Sequence, residues 1–342
     1  MTDLATIRQN RILPARLARL AAAVALAAVA VTASAAESVD KYPSRPVTIL
    51  VPYAPGGATD IIARAVAQKM GEVLGQSFVV ENRPGAQGNL AIEACAKAQP
   101  DGYTLLVGNV TTNAINEAIF PDQRTKPTKE LVGISRLVEI PHVVVANNSF
   151  PPNDMKEVVA YAKKNPGKIN FASAGLGSYP QLDMLKFMAM TGTDMVHIPY
   201  KSGASQIVVS IIAGDTQLSF LNLSSAWEFI KAGRMKVLAT TWHTRLPELP
   251  NVATMAEQGF PGVGTNAWQG MFAPKAVPQP IVDKLYKAVA TVLSNPETKE
   301  NLAKSKLVVR LSKSPQDFTK EVAQESKDWG KFVHDNHIKV TD

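Results

Sequence analysis

Two glycine turns carry the residue types in this chain that could do chemistry. The first, Pro52-Tyr-Ala-Pro-Gly-Gly-Ala-Thr-Asp60, follows an aliphatic, β-branched run at 47–51 and precedes helically spaced apolar residues at 61–74. A strand therefore feeds a glycine turn and then a helix. The second, Ser173-Ala-Gly-Leu-Gly-Ser178, follows a β-leaning run at 169–172 and precedes a helix expected over 181–190, with Ser178 placed to cap it. At the carboxyl end of a strand, the new helix offers unpaired N–H groups and the positive end of its dipole, which is chemistry for holding an anion. Neither turn contains Arg or Lys, so an anion there would rest on oriented N–H groups and Ser or Thr hydroxyls. Either turn alone is equally what a tight connection would use. Two of them, roughly a hundred residues apart, suggest two lobes facing one cleft.

The candidate ligand contacts are Tyr53, Gly57, Ala58, Thr59 and Asp60 from the first turn, facing Ser173, Gly175, Gly177 and Ser178 from the second. Asp60 is expected to brace its loop by accepting backbone N–H bonds rather than to touch an anion. Asn109, Thr111, Thr112 and Asn113 end a strand expected at 103–108, and Asn222 ends one expected at 217–222. They put polar groups at the same strand edges, although a helix cap explains the group at 109–113 equally well.

Catalytic signatures are missing. There is no G-x-S-x-G elbow, Walker loop or H-E-x-x-H helix, and Gly56-Gly57 lacks the spacing of a dinucleotide fingerprint. The five histidines (His142, His197, His243, His334 and His337) are dispersed except for the last two, which an exposed helix end explains better than a metal. Neither metal nor cofactor is expected.

These turns sit in an alternating chain. Strands expected at 77–81 and 103–108 bracket a helix at 90–98. Extended runs at 131–139 and 142–146 are split by Pro141 and could cross between lobes. A second series follows: helix 155–164, strand 169–172, helix 181–190, strand 195–199, helix 204–213, strand 217–222 and helix 225–232. A strand at 236–241 could return to the first lobe, and helices are expected at 280–293 and 315–333. The class is α/β, with mostly parallel sheets. The lobes are expected at 36–138 with 240–342, and at 139–239.

The chain has 342 residues with a formal charge of +7. Arg8, Arg11, Arg16 and Arg19 precede a short apolar run at 20–31 and Ala33-Ser34-Ala35, the pattern of a cleavable export signal at 1–35. Its removal leaves about +4, too little and too scattered for a nucleic-acid binder. The single Cys95 can form no internal disulfide, so stability must come from the core.

With the two turns, Asn82-Arg-Pro-Gly85, Pro100-Asp-Gly-Tyr-Thr-Leu105, Ile198-Pro-Tyr-Lys201 and Trp268-Gln-Gly-Met-Phe-Ala-Pro274 in order, the mature chain resembles the Bug (TctC-like) family throughout. These are extracytoplasmic receptors of tripartite tricarboxylate transporters. The resemblance implies a two-lobed periplasmic-binding-protein fold of type II-like form and a monomer in the periplasm. It also implies an integral-membrane permease as partner and a small organic carboxylate as ligand, most often a di- or tricarboxylate. Aromatic carboxylates, acidic amino acids and nicotinate-like compounds are the family's other ligands. The family's two ligand loops match Pro52 to Asp60 and Ser173 to Ser178. Gln181 stands where His is common, Ser202 where Gly is usual, Gln87 where Gly is frequent, and Leu221 where an acid often precedes Asn222; the last disfavours a ligand with an ammonium group. An exported hydrolase or isomerase is the alternative class, and would need an acid–base constellation absent from these motifs.

Overall fold

The computed structural model describes residues 38–200, 203–336 and 338. The expected export segment at 1–35, Lys201, Ser202 and His337 lie outside them. The chain divides into two compact units, 1–42 and 43–342. Of the first, residues 38–42 include a turn in which the Lys41 N–H meets the Ser38 carbonyl; all that follows concerns the second.

That unit holds two sheets. The first begins with β1 (Val47–Val51), α1 (Ala58–Leu74), β2 (Phe78–Asn82), α2 (Asn89–Ala96) and β3 (Thr104–Asn109). The short helices α3 (Asn116–Ile119) and α4 (Pro127–Glu130) lead into β4 (Leu131–Ile140). The second contains β5 (His142–Ala146), α5 (Met155–Lys164), β6 (Asn170–Ser173), α6 (Tyr179–Thr191), β7 (Val196–Pro199), α7 (Ala204–Ala213), β8 (Leu218–Asn222), α8 (Leu223–Lys231) and β9 (Lys236–Thr240). The chain then returns through β10 (Ala267–Pro274), α9 (Gln279–Ser294), α10 (Pro296–Lys304), β11 (Val308–Val309) and α11 (Pro315–Asp335).

Strand order is β11-β4-β10-β3-β1-β2 in one sheet and β7-β6-β8-β5-β9 in the other. The βα units pair in parallel as expected: β1 with β2 and β3, β6 with β7 and β8. The crossing strands do not. β10 is antiparallel to β3 and β4, and β5 is antiparallel to β8 and β9, so both sheets are mixed rather than mostly parallel. The switch falls at Pro141, which has no N–H to extend a ladder. The strand at 236–240 does not return to the first sheet; it pairs with β5, and the return is made by β10. Between them Leu246, Met255 and Val263, expected in the first lobe, pack into the second lobe's core beside Ala172, Phe171 and Phe187.

Gly133 and Gly270 make room for the last helix. A Cβ on Gly270 would lie 2.4 Å from Phe318, and one on Gly133 2.6 Å from it. Phe318 therefore sinks into the sheet beside Trp268, with ring centroids 5.5 Å apart, and fastens α11 across the first lobe.

Candidate ligand-binding site

Between the sheets lies a cavity of about 650 Å³ whose walls come from both lobes. In the first lobe, β1 ends at Pro52 and α1 starts after Gly57, whose backbone is extended and supplies no side-chain cap. Gly56 takes the left-handed conformation (φ +91°), which only glycine adopts cheaply. Asp60 fixes the loop from behind. Its carboxylate accepts the Gly56 N–H at 2.9 Å, Asn82 Nδ2 at 2.9 Å and Arg64 Nε at 3.0 Å, and Asn82 Nδ2 also reaches the Tyr53 carbonyl. Burial pushes the Asp60 carboxyl up, but bonds from Arg64, Gly56 and Asn82 outweigh it and leave it below its ordinary value. Asp60 is thus a brace, and Ala58 and Thr59, in the first turn of α1, line the cavity. Asp60→Asn, which keeps an acceptor for Gly56, should retain ligand binding within about tenfold, about 1.4 kcal/mol, while Asp60→Ala should lose more. Equal and severe losses in calorimetric titrations would mean that the charge itself is needed.

The second lobe brings three more helix starts to the same cavity: Ser178 to Pro180 at α6, Gly203 to Ser205 at α7, and Asn222 with Ser225 at α8. None of the four helices has a side-chain cap. Caps by contrast close α5 (Asp154), α10 (Asn295) and α11 (Ser314), all away from the cavity. The sequence pointed to two anion-ready helix ends; the fold converges four.

Three carboxamides complete the floor, each with its oxygen already engaged. Asn109 Oδ1 accepts from the Thr112 N–H at 3.1 Å and the Tyr53 hydroxyl at 3.2 Å. Asn222 Oδ1 accepts from the Tyr179 hydroxyl at 3.1 Å and from His142 Nε2. Gln269 Oε1 accepts from Thr59 Oγ1 at 2.8 Å. The three NH2 groups have no other partner among the described residues and open on the cavity. His142 lies flat against Tyr179, ring centroids 4.5 Å apart, and burial lowers its pKa to about 4, so it stays neutral and donates through Nε2. Burial also pushes the Tyr53 phenol up to about 12, which keeps its proton on Asn109. Among the described residues, none that lines the cavity carries a charge. The arrangement can hold an anion by fixed neutral donors, and its described residues offer no carboxylate to a cation.

Residues 62–338 match the family described as "Tripartite tricarboxylate transporter family receptor". The chain belongs to this family. Among solved structures, MatC from Rhodopseudomonas palustris, with malate bound, gives a TM-score of 0.76 at 32% identity, over 85% of this chain and 100% of that one. An R. palustris protein solved with adipate gives 0.78 at 31% identity, over 87% and 99%. The periplasmic binding protein BugD gives 0.75 at 32%, over 87% and 99%. The fold is the two-lobed periplasmic-binding-protein fold, and this TctC-family receptor is a substrate-binding protein, not an enzyme. Among the described residues no helix is long and apolar enough to cross a membrane.

Of the residues expected at the receptor's site, Tyr53, Gly57, Ala58, Thr59, Asn109, Thr111, Ser178 and Asn222 line the cavity. Asp60, Thr112, Asn113, Ser173, Gly175 and Gly177 do not. Thr112 and Asn113 sit inside a buried π-helical turn, Thr111–Ile115, where Thr112 Oγ1 donates to Asn113 Oδ1 at 2.7 Å. Ser173 is fully buried, and the Gly175 and Gly177 N–H groups are consumed by the Ser173 hydroxyl and Gln181 Oε1. Ser178 stands at the cap position, yet its hydroxyl donates back to the Gly175 carbonyl at 2.7 Å instead of capping α6. Sequence reasoning missed Tyr179 and Gln269. Gln269 had one signal, a polar residue in the middle of a strand otherwise apolar on both faces.

Proposed function

We propose that this receptor captures a small di- or tricarboxylate between its lobes in the periplasm and, as a monomer, hands it to the integral-membrane permease of a tripartite tricarboxylate transporter. The observation that carries this reading is a cavity lined, among the described residues, by no charged side chain, where four helix starts without side-chain caps meet three carboxamides whose oxygens are already engaged. Neutral donors satisfy a carboxylate without an opposing charge, and their distribution over both lobes suits an acid with a carboxylate at each end. The malate and adipate in the neighbouring structures are acids of that kind. The absence of a carboxylate among the described lining residues disfavours acidic amino acids, whose ammonium would lack a partner.

The test is a thermal-shift panel of malate, adipate, citrate, benzoate and glutamate, with glucose and a divalent metal salt alongside, on the exported chain, with native mass spectrometry of the recovered complex. A ligand at a hundred times its Kd should stabilise the protein by about 2.7 kcal/mol. Malate, adipate or citrate should shift the melting temperature more than glutamate. A response to a sugar or a metal with none to any acid would overturn the reading.

A further inference from the structure

The turn between β6 and α6 is held by a chain of hydrogen bonds running through two side chains outside the cavity. Gly177 donates its N–H to Gln181 Oε1 at 2.6 Å, and the same amide sets its Nε2 3.3 Å from His197 Nδ1. An NH2 group has only hydrogens to offer, so Nδ1 must be the accepting nitrogen and the proton of the neutral ring sits on Nε2. His197 Nε2 lies 2.6 Å from Ser173 Oγ. That hydroxyl accepts the ring's hydrogen, passes its own to the Gly175 carbonyl at 3.1 Å, and receives the Gly175 N–H at 3.1 Å. The acceptor of the Gly177 N–H is thus set by one imidazole tautomer, and the same ring donates to the hydroxyl that receives the Gly175 N–H. The contact between Ser173 and His197 has the spacing of a nucleophile and its base, but its polarity is reversed: a general base accepts from the serine, and this ring donates to it.

We propose that His197 is a positioning residue for the ligand site, holding the 173–178 turn through the tautomer that Gln181 imposes, and that protonation of the ring releases the turn. The inference rests on the start of α6, which this turn aims, being part of the ligand site. A protonated ring carries a hydrogen on Nδ1 as well, facing the Gln181 NH2. Two donors cannot share the contact, so the amide must turn its oxygen to the ring, and Gly177 loses its acceptor. Burial holds the imidazole below its ordinary 6.5, which places the release on the acid side of that value. The ring is faced by Phe171 at 5.1 Å between centroids, by Ser173 and by Gln181. Charged groups on the adjoining segments turn elsewhere: Asp183 to Thr265, Lys186 over Phe332, and Asp194 toward Gly167. Lys201 lies outside the described residues.

The test begins without ligand. Nitrogen-15 spectra of the apo protein should show the Nε2–H tautomer of His197 at pH 7.5, and the Gly177 amide shift should titrate with the His197 ring as pH falls. An Nδ1–H tautomer, or a Gly177 amide indifferent to that titration, would overturn the proposal. Calorimetric titration with malate and adipate at pH 7.5 and 5.5 then compares three proteins. His197→Phe removes both ring contacts and should weaken binding by about tenfold at pH 7.5. His197→Gln keeps an oxygen for Gln181 and an NH2 for Ser173, and should recover most of that loss. It should also flatten the pH response at least threefold relative to wild type; ligand protonation is common to both proteins and cancels in the ratio. Identical pH dependence in wild type and His197→Gln would sink the switch. If neither acid binds while Gly177 still follows His197, the positioning role stands and the carboxylate reading falls.

Discussion

Exchanging Gln269 for glutamate should weaken malate or adipate binding at least a hundredfold while leaving the apo protein folded. The Thr59 hydroxyl would still donate to one carboxylate oxygen, because Gln269 already accepts that bond at 2.8 Å. The other oxygen would stand where the NH2 now opens on the cavity, replacing a donor by an anion. A hydrogen bond to a charged group contributes roughly 1.5–3 kcal/mol, and two like charges about 4 Å apart repel by up to about 4 kcal/mol at an effective dielectric near 20. Even halved by water in the cleft, the sum exceeds the roughly 2.7 kcal/mol that a hundredfold loss requires. Gln269→Leu removes the donor without adding charge and should lose less. Titration calorimetry at pH 8, with a melting curve for each variant, reads the order; glutamate binding as well as glutamine would show that this NH2 does not face the ligand.

The first lobe's half of this site was legible because its parts are local. An aliphatic run, Gly56-Gly57 and an apolar-periodic helix lie within thirty residues, and Asp60 reaches back only four positions to brace Gly56. The second half was misread for a reason equally local in sequence but settled by side-chain geometry. Gly175 and Gly177 look like free N–H donors until Gln181 and Ser173 fold onto them. Gln269 escaped because its meaning depends on Thr59, 210 positions away, and no spacing rule marks such a pair. Among the elements, β5, α5 and α7 fall where the pattern put them, since alternation or helical spacing is bounded there by Pro141, Asp154 and Gly214. The crossing strands defeated the expectation of mostly parallel sheets. Alternating βα units predict parallel neighbours within a lobe, but β5 and β10 enter each sheet from the other lobe, and periodicity carries no direction for such a strand.

Asp183→Asn should make the protein more stable than wild type at pH 8 and nearly equal to it at pH 4. Asp183 lies on α6, one turn beyond the cavity, and is 1% exposed. Both of its oxygens are held by Thr265, from the N–H at 2.8 Å and the hydroxyl at 2.8 Å, where the chain runs from β9 to β10. Burial raises its pKa from 3.8 to about 7, with Thr265 and Lys186 pulling the other way. A folded pKa above the unfolded one means that the native state holds the proton more tightly, so this stabilisation is complete below 3.8 and is lost as pH rises through 7. A shift of that size corresponds to about 4 kcal/mol. His142 has the opposite slope: its pKa falls from 6.5 to about 4, so its contribution is present above 6.5 and is lost as pH falls through 4. The two oppose each other in the wild type between those values, so the pH dependence of wild-type stability alone does not isolate Asp183. The difference between wild type and Asp183→Asn removes the histidine. Asparagine can accept the Thr265 N–H through its oxygen and donate to the Thr265 hydroxyl, so the clamp survives without a charge. Denaturant unfolding from pH 4 to 8 should therefore show a difference that grows up to pH 7 and is constant above it. A difference independent of pH would mean that Asp183 ionises near its ordinary value and that water reaches this end of α6.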